Sequence, residues 1–108
     1  MSELKLSGCK SNEVVVGRKD DQGKLQYGLL PPKALQETVD VLTFGAKKYG
    51  PDNWKWVPDA QTRYFDALQR HLWAWKQGQQ LDEESGKSHL AHAACCLMFL
   101  QELEASNK

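Results

Sequence analysis

Apolar residues recur at helical spacing in three separate segments of the chain. In the first segment they follow one another at intervals of three or four residues, which places them on one face of a helix. Pro31-Pro32 before the segment is a start signal, and Gly50 after it is a stop signal. The pattern predicts a first helix that ends near Tyr49-Gly50. The apolar positions are Leu35, Val39, Leu42 and Ala46.

The second segment follows an aromatic loop and has one apolar stripe and one mixed stripe. Its start is expected near Pro58-Asp59, its end near Gln77, and Gly78 should close it. Because helical neighbours lie three or four residues apart, the apolar stripe should face the core. The stripe consists of Tyr64, Ala67, Leu68, His71 and Trp75.

The third segment opens with acids and histidines and then becomes almost entirely apolar. A helix is expected from Ser85 or Ser88 to about Leu103. Between Leu90 and Leu100 the only strongly polar side chain is His92. Since a helix that is apolar on all sides is a buried one, we expect His92 inside, paired with a carboxylate.

These segments predict an all-α fold, a compact bundle of about three main helices. Residues 1–18 are expected to form an irregular N-terminal arm and residues 19–108 a single helical domain. Residues 1–30 as a whole are expected to form either an arm or a short hairpin around Asp21-Gln22-Gly23. In a bundle of three helices, the other two helices cover an apolar third helix poorly. Self-association as a dimer or tetramer is therefore expected to complete the bundle.

Composition narrows the classes of partner. Fourteen basic residues balance fourteen acidic ones, so the chain has no net positive charge that would attract a nucleic acid polymer or an anionic membrane surface. The adjacent Cys95 and Cys96 suit reduced packing residues better than a disulfide framework. The N-terminus lacks a signal-peptide pattern, so a cytoplasmic protein is expected.

Helix-borne acids are the candidate magnesium ligands. Glu37 and Asp40 lie one turn apart on the first helix, and hard oxygen ligands of this kind suit Mg²⁺ bound with substrate phosphates. Asp66, Asp82 and Glu84 could add further carboxylates. The alternative is that these acids form a solvated face, surface ion pairs and the charged start of a helix.

Histidines and aromatic residues are the remaining candidates. His89 and His92 lie three residues apart and could share a metal, or could be hydrogen-bonded inside the core. The loop from Tyr49 to Trp56 could stack a base and pair with phosphate, or could pack as a lid over the core. Both alternatives remain open at this level.

Read together, several ordered blocks resemble the phage dATP/dGTP diphosphohydrolase N-terminal family. The resemblance spans about residues 19–104 and implies a relationship to all-helical nucleoside triphosphate pyrophosphatases of the MazG-like type. Those enzymes carry a Glu-Glu-x-x-Glu motif followed by a Glu-x-x-Asp motif. Only the second has a counterpart in this chain, Glu37-Thr38-Val39-Asp40. The blocks are Leu29–Leu35, Val41–Gly50, Asn53-Trp54, Arg70–Leu72, Ala74-Trp75, Asp82–Gly86 and His89–Ala93.

The resemblance implies a phage nucleotide-binding protein that hydrolyses purine (deoxy)nucleoside triphosphates to monophosphate and pyrophosphate with Mg²⁺. Glu37, Asp40 and Asp66 are the expected catalytic residues, and Glu37, Asp40, Asp82 and Glu84 the expected metal ligands. The alternative is a non-catalytic sponge that sequesters a nucleotide signal of host immunity, an anti-defence role in the host cytoplasm. The expected ligand-binding residues are Lys24, Lys47, Lys48, Asn53, Trp54, Arg70, His71, His89 and His92.

Overall fold

Three α-helices dominate the chain in a computed structural model, which describes residues 15–106. The all-α bundle predicted from the sequence is confirmed, and the helix bounds lie close to the expected ones. The helices are α1 (Pro32–Tyr49), α2 (Ala60–Lys76) and α3 (His89–Ser106), with short 3-10 turns at Tyr27–Leu29 and Asn53–Trp56.

The helix ends follow the signals in the sequence. Pro32 occupies the first turn of α1, where its missing amide proton costs nothing. Gly50 ends α1 at a φ of 97° and donates its backbone N–H to the Ala46 carbonyl at 2.8 Å. At the start of α3, the Ser88 hydroxyl accepts a hydrogen bond from the Leu90 N–H at 3.1 Å. Ser88, rather than Ser85, therefore caps this helix.

The core forms where α3 packs against the other two helices. Contacts of α3 with α1 and α2 dominate the tertiary structure within the described part of the chain. The thiol of Cys95 donates to the Thr38 carbonyl at 3.4 Å, and burial raises the pKa of this thiol to about 12. The thiol is therefore an inert packing group. The core residues are Val41, Ala91 and Cys95, with Leu42 and Phe99 packed against them.

Burial of α3 differs from the expectation. Leu90, Leu97 and Met98 expose 43%, 50% and 47% of their surface in the single chain, so α3 is not covered on all sides. Two helices can cover only part of a third, which explains the difference. His89 is buried, whereas His92 is only half-buried.

The segment before α1 is exposed and irregular where the structure describes it. Most of the predicted arm, residues 1–14, lies outside the described residues. At the expected hairpin the Lys24 N–H donates to the Asp21 carbonyl at 3.1 Å, but this turn joins no strands within residues 15–106. No helix in that range combines the length and hydropathy needed to cross a membrane.

Candidate functional site

The connection between α2 and α3, residues 77–88, is a closed polar loop. The Asp82 N–H donates to the Lys87 carbonyl at 2.8 Å, and the His89 N–H donates to the Gln80 carbonyl at 2.9 Å. The turn needs Gly86, whose φ of 72° lies in the left-handed region. Because its ends are hydrogen-bonded to each other, this polar loop holds its side chains at fixed positions over the helix ends.

Asp82 organises the polar loop through its carboxylate. Its Oδ2 accepts hydrogen bonds from the backbone N–H groups of Glu84 at 3.1 Å and Ser85 at 2.9 Å. Burial acts to raise the pKa of this carboxyl, but the backbone hydrogen bond from Ser85 and the nearby His92 outweigh burial and lower it. Asp82 is thus an anchored anion at neutral pH.

Three imidazoles gather around Asp82 from the two helices, and we call these four residues the histidine cluster. The Nδ1 atoms of His71 on α2 and His89 on α3 lie 2.8 Å apart. The His71 ring also stacks on His92, with centroids 4.5 Å apart and an interplanar angle of 10°. The fold therefore brings together three predicted ligand-binding histidines and one predicted metal ligand.

His92 contacts the polar loop directly. Its Nε2 lies 2.7 Å from the Ser85 hydroxyl and 3.9 Å from Asp82 Oδ2. The expected carboxylate neighbour is therefore Asp82, but the direct hydrogen bond is with Ser85. That hydroxyl also accepts the Lys87 N–H at 3.1 Å, so Ser85 links the polar loop to α3.

Two imidazoles of the histidine cluster, those of His71 and His92, have lowered pKa values. Burial, followed by repulsion from His92 and His89, lowers the pKa of His71 to about 4. Burial also lowers the pKa of His92, against the attraction of Asp82. His89 is only 5% exposed, and its Nε2 has no hydrogen-bond partner among the residues described. The histidine cluster thus places ring nitrogens of three histidines beside a carboxylate, and burial favours the neutral form of His71 and His92.

Two ion pairs fasten the polar loop to α1. Lys48 pairs with Glu84, and Lys87 pairs with Asp40 at 3.1 Å. The hydrogen bond with Glu84 raises the pKa of the Lys48 ammonium group. Since both ion pairs are partly exposed, they add little to the free energy of unfolding. Their main effect is to keep the polar loop in place against α1. Two of the predicted magnesium ligands are therefore neutralised by lysines.

Two open clefts lie beside α1, and Glu37 lines both. The first, which we call the α1–α2 cleft, has a volume of about 520 Å³. The second has a volume of about 560 Å³ and brings Glu37 and Asp40 together. The α1–α2 cleft is lined by Glu37, Trp75, Lys76, Gly78, Gln80, Ser88 and Leu90. The second cleft is lined by Lys33, Gln36, Glu37, Val39 and Asp40.

The predicted acids fit a magnesium ion only in part. Glu37 and Asp40 share one cleft and could hold a hydrated Mg²⁺ through oxygen atoms. Asp66 is exposed on α2 and lines neither cleft, while Asp82 belongs to the histidine cluster. The five predicted acids therefore do not converge. The pair on α1 shares one cleft, but Asp40 would have to exchange its ion pair with Lys87 for the cation.

The aromatic loop between α1 and α2 packs on the bundle. The Trp54 ring stacks on Phe99 of α3, with centroids 4.7 Å apart and an interplanar angle of 11°. The Tyr64 hydroxyl donates to the Trp54 carbonyl at 3.2 Å. The sequence left two roles open for this loop, stacking on a base or packing over the core. The contacts of Trp54 in the structure are those of packing over the core.

The remaining predicted ligand-binding residues are exposed, and none lines either cleft. They lie on the turn before α1, the last turn of α1, the short 3-10 turn and α2. The structure therefore does not bring them together with Glu37. They are Lys24, Lys47, Asn53 and Arg70.

Several residues at these sites were absent from the predicted set, among them Ser85, Trp75 and Lys76. Ser85 bridges Asp82 and His92, and the run Asp82-x-x-Ser85 before a glycine is an Asx-turn pattern that could have indicated it. Trp75 had been assigned to the core stripe, yet it is 45% exposed and lines the α1–α2 cleft. Lys76, the last residue of α2, carried no distinguishing signal.

Comparison with known proteins decides the family. Residues 15–108 match the family described as dATP/dGTP diphosphohydrolase, N-terminal. The chain belongs to this family. A dATP/dGTP diphosphohydrolase of Salmonella phage PMBT28 is 38% identical over 86 residues, which cover 80% of this chain. The chain spans only 29% of the length of that relative. No solved structure matches the chain.

Proposed function

We propose that this chain binds purine deoxynucleoside triphosphates in the α1–α2 cleft and hydrolyses them to monophosphate and pyrophosphate. The observation that carries the proposal is the meeting of a carboxylate, an indole and an ammonium group in one cleft, supplied by Glu37, Trp75 and Lys76. Membership of the family and the name of the phage relative supply the substrate class.

The dimensions and chemistry of the cleft suit a nucleotide. Its volume of about 520 Å³ falls within the range of small-molecule sites. The Trp75 ring offers a face for a base, and Lys76 offers a charge for phosphate oxygens. Backbone groups of Gly78 and the hydroxyl of Ser88, which also line the cleft, can add polar contacts.

In the proposed reaction, water attacks the α-phosphorus and the bond from that phosphorus to the bridging oxygen breaks, so that pyrophosphate leaves. Glu37, which lines the cleft, would orient the water and accept its proton. Lys76 balances the charge that develops on the departing phosphates. Mg²⁺ bound by Glu37 and Asp40 would supply further charge neutralisation on the phosphate oxygens.

One experiment tests the proposal directly. The purified protein is incubated with dATP, dGTP, dCTP and dTTP, with Mg²⁺ or with chelator, and the products are separated by chromatography. Magnesium-dependent release of pyrophosphate and purine monophosphate is expected. Unchanged triphosphates in solution, with none bound to protein, would overturn the proposal.

A non-catalytic nucleotide sponge is the second candidate, and one observation favours it. Asp40 and Glu84, two of the acids expected to hold Mg²⁺, are paired with lysines. A site with few free carboxylates can still retain a nucleotide through stacking and cations. In the same experiment a sponge would deplete the nucleotide from solution and release it chemically unchanged after heat denaturation.

Self-association is part of the proposal because α3 leaves apolar side chains uncovered. Leu90, which lines the α1–α2 cleft, and Leu97 and Met98 further along α3 are each exposed by more than two fifths. Burying such residues against a second copy would stabilise a homo-oligomer and help to enclose the open cleft. Sedimentation velocity should show a dimer or a tetramer, whereas a concentration-independent monomer would contradict this part.

A further inference from the structure

We propose that His71, Asp82 and His89 bind one divalent transition-metal cation of the Zn²⁺ class. One ligand atom from each of these residues lies within 4.8 Å of the other two. The three side chains come from α2, the polar loop and α3, so a bound ion would join three elements that are separate along the chain. This site is distinct from the Glu37 clefts and does not rest on the proposed function.

The burial of His89 is the first argument. Its side chain is 5% exposed, so its ring nitrogens are shielded from solvent. Nδ1 faces His71 at 2.8 Å and is the nitrogen that an ion shared with His71 would take, which leaves the proton of the ring on Nε2. Buried imidazole nitrogens are common ligands of metal cations in proteins.

The contact between His71 and His89 is the second argument. Their Nδ1 atoms face each other at 2.8 Å, a separation that fits one hydrogen bond and lies close to that of two nitrogen ligands of one ion. A zinc ion with Zn–N bonds of about 2.0 Å would set two nitrogen ligands roughly 3.3 Å apart. The rings would therefore need to separate by only a fraction of an ångström to admit the ion.

The surroundings hold the ligands in place, which is the third argument. Two backbone N–H groups fix Oδ2 of Asp82, and the His92 ring stacks on His71. Hydrogen bonds and packing around the ligands are a regular feature of protein metal sites. His92 and Ser85 would act here as positioning residues, since their own hydrogen bond joins α3 to the polar loop.

The ligand set selects the kind of metal. Two imidazoles and one carboxylate suit Zn²⁺, Fe²⁺, Co²⁺ or Ni²⁺, whereas Mg²⁺ prefers oxygen ligands. Three protein ligands also leave a fourth position for water or for a phosphate oxygen.

The test measures metal binding without nucleotide. Protein stripped with EDTA and freed of chelator is titrated with Zn²⁺ against a colorimetric zinc indicator, and the stoichiometry is read by native mass spectrometry. One zinc per chain is expected, unaffected by a hundredfold excess of Mg²⁺. Cobalt(II) in its place should give the visible absorption of a low-coordinate site.

Variants decide whether the named residues are the ligands. His71→Gln and Asp82→Asn should each weaken zinc binding at least tenfold, while Glu83→Gln, an exposed neighbour in the polar loop, should not change it. Cys96→Ala should also bind normally, which excludes this thiol as a ligand. Circular dichroism checks that each variant is folded. Zinc bound in far less than equimolar amount, or with unchanged affinity by a folded His71→Gln variant, would overturn the proposal.

Discussion

The two loops that join the helices use their residues in opposite ways. The loop between α1 and α2 is rich in tryptophan, and its Trp54 stacks on Phe99 over the bundle. The polar loop between α2 and α3 instead fixes Asp82 and Ser85 against histidines of both helices. One loop therefore stabilises the fold, while the other positions chemical groups. A residue that the sequence suggests for ligand binding, such as Trp54, can thus serve to pack the core instead.

The largest expected effect lies at the cleft beside the polar loop. Glu37→Gln should lower purine triphosphate turnover about a hundredfold, because removing a group that acts on the reacting water removes a large share of general-base catalysis. Steady-state kinetics with pyrophosphate detection measures the turnover.

The control for this variant is Glu102→Gln, an exposed acid in the last part of α3 that should leave turnover unchanged. Full turnover by Glu37→Gln would remove Glu37 from the proposed mechanism. Equal loss in both variants would point to a general effect of charge.

Stability should depend strongly on the carboxylate of the polar loop. Asp82→Ala removes the acceptor of two backbone hydrogen bonds and should lower the free energy of unfolding by about 2 kcal/mol. Glu83→Ala, at the adjacent exposed position, should change it by less than about 0.5 kcal/mol. Urea denaturation followed by circular dichroism gives both values, and equal stability of the two variants would show that the polar loop is not held as described.

Acid should weaken the metal-free protein through the histidine cluster. His71 has a folded-state pKa of about 4, below its ordinary 6.5, and is surrounded by His89, His92, Asp82 and Arg70. Below the ordinary value the unfolded chain takes up the proton first. The stabilisation is therefore complete above pH 6.5 and is lost as the pH falls through the folded pKa.

Since His71 is partly exposed, the loss should amount to about 1–2 kcal/mol. Urea midpoints between neutral and acid pH, measured in EDTA, should fall accordingly. In His71→Gln the same acid-induced fall should be smaller. An identical profile in this variant would assign the acid sensitivity to other groups.

The smallest effect sharpens the contrast between the loops. Trp54→Phe keeps an aromatic ring against Phe99 and should cost about 1 kcal/mol of stability, with nucleotide affinity unchanged. Trp75→Phe is the matched change in the α1–α2 cleft and should weaken nucleotide binding severalfold. Calorimetric titration with dGTP measures the affinity of both variants. A larger loss of affinity in Trp54→Phe than in Trp75→Phe would show that the aromatic loop, and not the α1–α2 cleft, binds the base.

Much of the fold follows from local signals in the sequence. The Pro31-Pro32 start, the Gly50 stop and the Ser88 cap set helix ends within a few residues of those observed, because each acts through its own backbone. The apolar run in α3 indicated a helix correctly but overstated its burial, since burial depends on which helices pack against it.

The site was less accessible from sequence because it depends on tertiary packing. His71 and His89 belong to different helices, and only the path of the polar loop brings their nitrogens together. Whether Trp54 stacks on a base or on Phe99 is likewise decided by the position of α3. Spacing alone identified Glu37 and Asp40 as a pair, since one helix carries both.

Hydrogen–deuterium exchange with and without dGTP shows whether the nucleotide binds beside the polar loop. Measured by mass spectrometry in Mg²⁺, with Glu37→Gln used to slow turnover, it reports where the ligand protects the backbone. Slower exchange is expected in segments 32–40 and 76–90, with residues 49–56 unchanged. Protection confined to residues 49–56 would instead place the nucleotide on the aromatic loop and overturn the proposed binding site.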